Sequence, residues 1–517
     1  MTAATKKHAV HGIICLMIAY AALLPNFYLI YNEVNRFVLQ WSPATHASIL
    51  MAILLMGAAC FAVYRVGHAI VQHNKKLKPL AVMGATWLLY FILLRSLINI
   101  LNSTHSVSDH TLAILDKTPI KLLYYFALPA PLLLFARQVS NTALCKLYLV
   151  TSPILLLFLT APLVWRSQVP SFEAPAEIGP TPIVSTNEVP GLIVIIFDEW
   201  DYEMTFPDGT LREGLPHLQS LLNEATLYTD AQAEGAMTAT SVTKFLFQRN
   251  PEYLKKTHAE IYENIYKNVP FVGPSIYSNF DDRYTKALIG YFLNYPHMIG
   301  KDLDVCLTMP IGGKLPFWDN TLELLKTQGA CLRFVGIHLE SKKLRGEETL
   351  FWNIVEPVHN LTMELLERTP KPVVGVFHYP IPHDPFIYDR NGKKETIDTT
   401  MNLAESLRDR DGYLDNLDYL DTILGQLIQA LKDQGRYDKT MFVIMSDHAW
   451  RLNEDKGYFA DHIEDAKPDS LFKHVPLVIR EPGQQTARRV DERFKLISFY
   501  AYLEAYLNEN YPGALTP

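Results

Sequence analysis

Apolar residues crowd into the first third of this 517-residue chain, while most of its charged residues lie beyond about position 170. Such an asymmetry fits a membrane part followed by a soluble part better than it fits one continuous core. The averages hide it, because 49% hydrophobic residues and a formal net charge of -7 describe an ordinary, mildly acidic globular protein. A negative balance without basic clusters argues against nucleic acid as the main partner.

A short polar start with Lys6 and Lys7 leads into an apolar run at 10–30, long enough to cross a bilayer core of roughly 30 Å. No small-residue cleavage site follows, so the run reads as a retained anchor. Further spans are expected at 46–66, 79–101, 120–136 and 147–165. Arg95 falls inside the third, where a charge is costly and would pair, snorkel outward or bind a lipid head group. With about five spans, Lys6, Lys7, Arg65, Lys75, Lys76, Lys78, Arg137 and Lys146 fall on one side, and the alternate loops hold chiefly Arg36 and Lys117. The amino terminus is therefore expected inside and everything after Trp165 outside. The domain plan is a transmembrane domain of about five helices at 1–165, a proline-rich linker at 166–190 and an extracytoplasmic domain at 191–517.

The cysteines divide in the same way. Cys15, Cys60 and Cys145 sit in apolar segments as small hydrophobes. Cys306 and Cys331 are the two in the soluble part and could form one disulfide outside the cytoplasm; neither belongs to a close Cys-x-x-Cys pair that would suggest a metal.

Beyond residue 190 the pattern changes to apolar strands separated by helices. The run at 192–197 ends in Asp198 and Glu199, the run at 373–377 ends in His378 and leads to His383 and Asp384, and the stretch 442–450 ends in Ser446, Asp447 and His448. Helices are expected near 215–225, with Pro216 in the first turn, at 347–367, and where Leu417, Leu420, Leu424, Leu427 and Leu431 recur at helical spacing before Gly435. A short strand at 475–479 follows His474. Nearly all-apolar strands alternating with helices indicate an α/β domain whose mostly parallel sheet is covered on both faces.

Ligands bind outside the carboxyl ends of such strands. Asp198, the region around His378 and His383, and the pair Asp447 and His448 would share that edge, and Asp with His can bind a divalent metal. Taken singly, each is as easily a strand end capping its turn. A nucleophile could come from 235–247, where a hydroxyl-rich turn runs into an apolar helix whose amino terminus favours an anion; helix capping alone also accounts for such hydroxyls. His474 reads equally as a satisfied core histidine, His378 as structural rather than catalytic, and His462 and Glu464 as solvated loop residues rather than substrate contacts.

The order of these motifs resembles a family. Strand-Asp, Thr-x-x-Ser, Pro-His-x-Pro, a helix with Asp-x-x-x-Gly, Ser-Asp-His and His-Val-Pro together resemble the sulfatase-like branch of the alkaline phosphatase superfamily over roughly 191–507. Its membrane members include the lipid A phosphoethanolamine transferases and the lipoteichoic acid synthases. The resemblance implies Asp198, Asp447 and His448 as metal ligands, with Glu199 as a second acidic ligand. It implies Thr238 as nucleophile and metal neighbour, since Ser241 follows by three, with Thr240 the runner-up. It implies His383 and His474 as residues contacting the transferred group or a second metal. The implied metal is zinc, with manganese or calcium as alternatives.

The implied activity is transfer of a phospho-substituent, of phosphoethanolamine or phosphoglycerol type, from a lipid donor to an envelope glycan or lipid through a phosphothreonine. The implied place is a bacterial cytoplasmic membrane, spanned several times, with the catalytic domain on the periplasmic side. The alternatives are a sulfatase-like hydrolase and a non-catalytic envelope-binding relative. No Cys-x-Pro-x-Arg segment is present, so the formylglycine of true sulfatases cannot form. Ala449 stands where the family has Gly after Ser-Asp-His, and Phe247-Gln248 stands for Thr-Gly.

Overall fold

The computed structural model describes residues 10–20, 43–77, 189–266, 270–309, 354–384, 386–393, 410–450 and 472–516. The third, fourth and fifth expected spans, Arg95, the linker up to residue 188, Cys331, His462 and Glu464 lie outside them. Contacts divide the chain into two compact units.

The first unit contains α1 (Val10–Tyr20) and α2 (Pro43–His73). The expected span at 10–30 is thus described only as far as residue 20. Within α2, the 27 residues Ala47–His73 form the one helix, among the described residues, long and apolar enough to cross a membrane. Helical rise makes that about 40 Å, ample for a hydrocarbon core. It also runs past Val66, where the sequence suggested an end. Leu50, Leu54, Leu55, Val63, Val66 and Ile70 are exposed along it, an apolar surface better suited to lipid than to water. Gly57 lets α1 approach closely, because a Cβ there would lie 2.5 Å from Leu16 Cδ2.

Among the described residues, the second unit is built on one sheet of nine strands. They are β1 (Gly191–Asp198), β2 (Thr226–Gln232), β3 (Thr285–Tyr291), β4 (Val305–Met309), β5 (Val373–Pro382), β8 (Thr440–Ser446), β9 (His474–Arg480), β10 (Arg488–Val490) and β11 (Phe494–Lys495). A separate hairpin pairs β6 (Tyr388–Asp389) with β7 (Gly392–Lys393). The order is β10-β2-β9-β8-β1-β5-β3-β4, with β11 also on β2. Only β9 runs against its neighbours β8 and β2; the remaining pairs are parallel.

Central β1 shows why its sequence is unbroken and apolar. Leu192, Val194 and Ile196 belong to the core that includes Phe245 and Phe499, and alternation turns Ile193, Ile195 and Phe197 to the opposite layer. Among its described helices are α3 (Pro216–Leu222), α4 (Thr238–Leu246), α5 (His258–Tyr266), α6 (Val355–Arg368), α7 (Arg410–Asp433) and α8 (Phe499–Asn510). Leu417, Leu420, Leu424, Leu427 and Leu431 of α7 are all buried, each contributing roughly 1.5–3 kcal/mol by burial. Gly435 at φ 62° ends α7 in a Schellman turn, with Gly435 N–H donating to Lys432 O and Arg436 N–H to Leu431 O, both at 2.9 Å. Buried Asp421 of α7 accepts from the backbone N–H of His217 and Leu218, capping the amino terminus of α3 across the layer.

Two expectations are corrected. The strand expected to end at Phe377 continues to Pro382, so His378 pairs with Ile196 inside the sheet rather than closing it. A register shift between Phe197 and Asp198 then matches Asp198 with Pro382, which places His383 at the strand's end. The helix expected near 215–225 closes at Leu222, because β2 begins at Thr226.

Candidate metal centre and nucleophile

The topology brings four distant segments to one edge. Strands β1, β2 and β8 all point their carboxyl ends there, and the antiparallel β9 delivers its amino end, beginning with His474 opposite Gln232. Ser446 fastens the centre of this edge. Its hydroxyl accepts from Trp200 N–H at 2.9 Å and lies 2.9 Å from Phe197 O and 2.7 Å from His448 O, tying the two strand ends together.

Asp198, Asp447 and His448 offer ligand atoms that all lie within 4.8 Å of one another. His448 Nε2 is 3.6 Å from Asp198 Oδ1 and 3.4 Å from Asp447 Oδ2. All three residues are at most 2% exposed, so water does not screen them. The chemistry of these donors tests whether a cation fits. His448 Nδ1 lies 3.0 Å from Ala449 O, which can only accept, so that nitrogen carries the hydrogen and Nε2 presents its lone pair. Asp447 Oδ1 accepts from the N–H groups of Glu199 at 3.2 Å and His448 at 2.8 Å, while its Oδ2 has no hydrogen-bond donor among the described residues. Two carboxylate oxygens and an imidazole lone pair thus converge in a dry site, an arrangement that a divalent cation satisfies.

Thr238 joins this group. It is the first residue of α4, behind an N-cap residue, Met237, that supplies no side-chain cap. Its hydroxyl is not used for capping; Oγ1 lies 3.3 Å from His448 Nε2 and 3.5 Å from Asp198 Oδ2. Thr240 points elsewhere, with Oγ1 2.5 Å from His258 Nδ1, and Ser241 donates to Gly235 O at 2.9 Å. The close packing of Thr240 on Gly235 needs the glycine, since a Cβ there would approach Thr240 Cβ to 2.9 Å.

Glu199 turns away from its neighbour Asp198. At φ 61° it is left-handed, a conformation that costs a non-glycine residue about 1–3 kcal/mol and that clusters at functional sites. Tyr413 supports the turn, donating from its hydroxyl to Glu199 O at 2.7 Å and accepting from Asp201 N–H at 2.9 Å. Burial holds that phenol well above its ordinary pKa range, so it stays a donor. The Glu199 carboxylate forms a second group with His383 and Asp384. His383 Nε2 is 3.9 Å from Glu199 Oε1, and its Nδ1 is 2.6 Å from Asp384 O and 3.1 Å from Asp384 Oδ1.

His474 makes other contacts. Its Nε2 is 2.8 Å from Thr229 O and its ring stacks on Tyr202 at 4.3 Å, neither of them a member of the two groups. His378 is fully buried, with Nδ1 2.7 Å from Tyr295 OH, and burial pushes its pKa down to about 4, which keeps the ring neutral. Cys306 carries a free thiol.

Sequence reading passed over Tyr291, whose hydroxyl donates to Asp198 Oδ2. The signal available was the apolar run Thr285–Tyr291, readable as a further strand whose carboxyl end shares the same edge. Asp384, which the sequence places beside His383 without a role of its own, belongs to the second group.

Comparison with known proteins places this geometry in a family. The Sulfatase family model matches residues 190–504, more than half of the chain. Human iduronate 2-sulfatase is 25% identical over 376 residues, covering 62% of this chain and 65% of its own length, so the chain spans a little under two thirds of that relative. Among solved structures, the phosphonate monoester hydrolase of Agrobacterium radiobacter is 17% identical with a TM-score of 0.39, covering 63% of this chain and 74% of that one. The lipoteichoic acid synthase LtaP from Listeria monocytogenes is 16% identical with a TM-score of 0.39, covering 62% and 74% respectively. The chain therefore belongs to the sulfatase family.

Proposed function

We propose that the protein is a membrane-anchored phosphotransferase that moves a phospho-substituent from a lipid donor to an envelope glycan or lipid, outside the cytoplasm, through a phosphothreonine at Thr238. The observation that carries this reading is the Thr238 hydroxyl, at the amino terminus of α4, 3.3 Å from His448 Nε2 and 3.5 Å from Asp198 Oδ2. The absence of a Cys-x-Pro-x-Arg segment supports it, since formylglycine chemistry on sulfate esters has no precursor here. α2 supports the anchor.

Asp198, Asp447 and His448 would hold the metal, zinc first, with manganese or calcium as alternatives; when bound, such an ion lowers the pKa of a neighbouring hydroxyl and polarises a phosphoryl oxygen. Thr238 loses its hydroxyl proton to solvent and Oγ1 attacks phosphorus; the Thr238 O–P bond forms and the bond from phosphorus to the lipid oxygen breaks. His383, beside Glu199 and Asp384, serves as general acid and gives a proton to the departing oxygen. In the second half the acceptor hydroxyl loses a proton to His383 and attacks phosphorus. Thr238 Oγ1 departs and regains a proton from solvent. The N–H groups at the start of α4 face the transferred anion, which they attract.

A hydrolytic reading, in which water is the acceptor, is favoured by the 25% identity to iduronate 2-sulfatase. Both share the first half-reaction. The full-length chain in detergent is incubated with vesicles of phosphatidylethanolamine or phosphatidylglycerol, and the peptide carrying Thr238 is weighed by mass spectrometry. A phosphoethanolamine or phosphoglycerol adduct, absent from Thr238→Ala together with turnover, is expected. Full turnover in Thr238→Ala sinks the nucleophile assignment, and product released only to water selects the hydrolase.

A further inference from the structure

The end of β3 supplies a group that the reaction as written does not use. Tyr291 is the last residue of that strand, two strands away from β1, and is 4% exposed. Its hydroxyl donates to Oδ2 of Asp198. The other oxygen, Oδ1, is the one that faces His448 Nε2 at 3.6 Å. Rotation of a carboxylate about its terminal torsion is otherwise broad and loosely set, so a donor fixed on one oxygen decides where the other points.

The Tyr291 ring is itself held from behind. It lies 4.8 Å from the His378 ring, and His378 is gripped from its far side by Tyr295, whose hydroxyl is 2.7 Å from Nδ1. Phe292, left-handed at φ 65°, turns the chain back so that Tyr295 reaches the same histidine. Thr308 of β4 pins the turn, accepting from Tyr295 N–H at 3.1 Å and donating to Leu293 O at 2.8 Å. Gly290 makes room, because a Cβ there would sit 2.7 Å from the Tyr295 ring and 2.9 Å from His378 Cβ. These contacts converge on one rigid phenol whose polar atom ends on a candidate ligand.

We propose that Tyr291 is a positioning residue for the metal centre: by donating to Asp198 Oδ2 it turns Oδ1 toward the point shared with Asp447 Oδ2 and His448 Nε2. The inference rests on the reading of Asp198, Asp447 and His448 as metal ligands. Groups that orient a ligand from behind typically change metal affinity by 10–100-fold when removed.

The test uses the full-length chain in detergent, stripped of metal and titrated with Zn2+ and separately with Mn2+ against a competing chelator. Tyr291→Phe keeps the ring on His378 and removes only the hydroxyl. It is expected to bind each ion about 10–100-fold more weakly than wild type while its metal-free melting temperature stays unchanged. Tyr295→Phe, which disturbs the backing without touching Asp198, is expected within about threefold of wild type. Affinity is read on folded protein below each variant's melting temperature, so a lowered melting temperature with wild-type affinity overturns the proposal. A raised KM with unchanged metal affinity also overturns it, since Tyr291 borders a pocket with His383 and Asp384 and would then be a substrate contact. Asp447→Ala separates the two failures. If it loses the metal and Tyr291→Phe does not, only the role of Tyr291 falls; if it binds as wild type does, the metal centre falls and takes this role with it.

Discussion

Asp198 and Glu199 are adjacent in sequence yet serve two groups of opposite character. Asp198 lies with Asp447 and His448 in a buried group fixed by strand ends and backbone amides, with Thr238 at its margin, 8% exposed. Glu199 lies with His383 and Asp384, where the His383 side chain is 20% exposed and Asp384 24% exposed. The backbone makes the difference, because the left-handed turn at Glu199 sends consecutive carboxylates apart. A dry group of acceptors suits a cation, and a wetter histidine suits proton exchange; one sharp turn separates the two.

The largest effect should come from the dry group. His448→Ala removes the lone pair between the two carboxylates and should lower metal affinity by more than about 100-fold, beyond what loss of an orienting group does. Because binding to the folded state stabilises it by about 4 kcal/mol at a thousandfold excess over Kd, a chelator should lower the melting temperature of wild type and leave His448→Ala unmoved. Equal chelator sensitivity in both would erase the contrast between the groups.

The wetter group should affect turnover without affecting the metal. His383→Gln removes the proton donor for the leaving oxygen and should reduce kcat by about 100-fold or more, with metal affinity changed by less than about threefold. Steady-state kinetics alongside chelator competition checks this. A variant that loses metal along with turnover would merge the two groups into one site.

How much of this could be read from the sequence follows from where each strand sits. β1 and β8 lie at the centre of the sheet, buried on both faces, so their sequences are continuous apolar runs that stop at Asp198 and Asp447. β2, β10 and β11 lie toward one edge, where partly exposed positions interrupt the pattern, and the sequence did not disclose them. β5 is legible only as far as Phe377, because nothing local announces the register shift beside Asp198 that lets it run on to Pro382. Thr238 could be singled out by spacing and resemblance, and the structure puts its hydroxyl beside His448. Tyr291 could not be, because an aromatic residue ending a strand looks like core until the fold brings the Asp198 carboxylate of β1, two strands away, within its reach. The left-handed Glu199 was equally hidden, since glutamate gives no sequence signal for that conformation.

That turn supports the smallest and sharpest test. Asparagine tolerates left-handed backbone better than glutamate does, so Glu199→Asn should relieve part of a strain worth about 1–3 kcal/mol. The backbone N–H that donates to Asp447 Oδ1 is retained, and so is the carbonyl that accepts from Tyr413. Only the carboxylate beside His383 is lost. The metal-free protein should therefore melt about 1–3 °C higher, a modest shift for a unit of this size, while turnover falls and metal affinity holds. Differential scanning calorimetry reads the first quantity and chelator competition the last. A lower melting temperature would mean that the Glu199 carboxylate stabilises the fold more than its backbone strains it, and the turn would then be a consequence of the site's charges rather than the device that separates them.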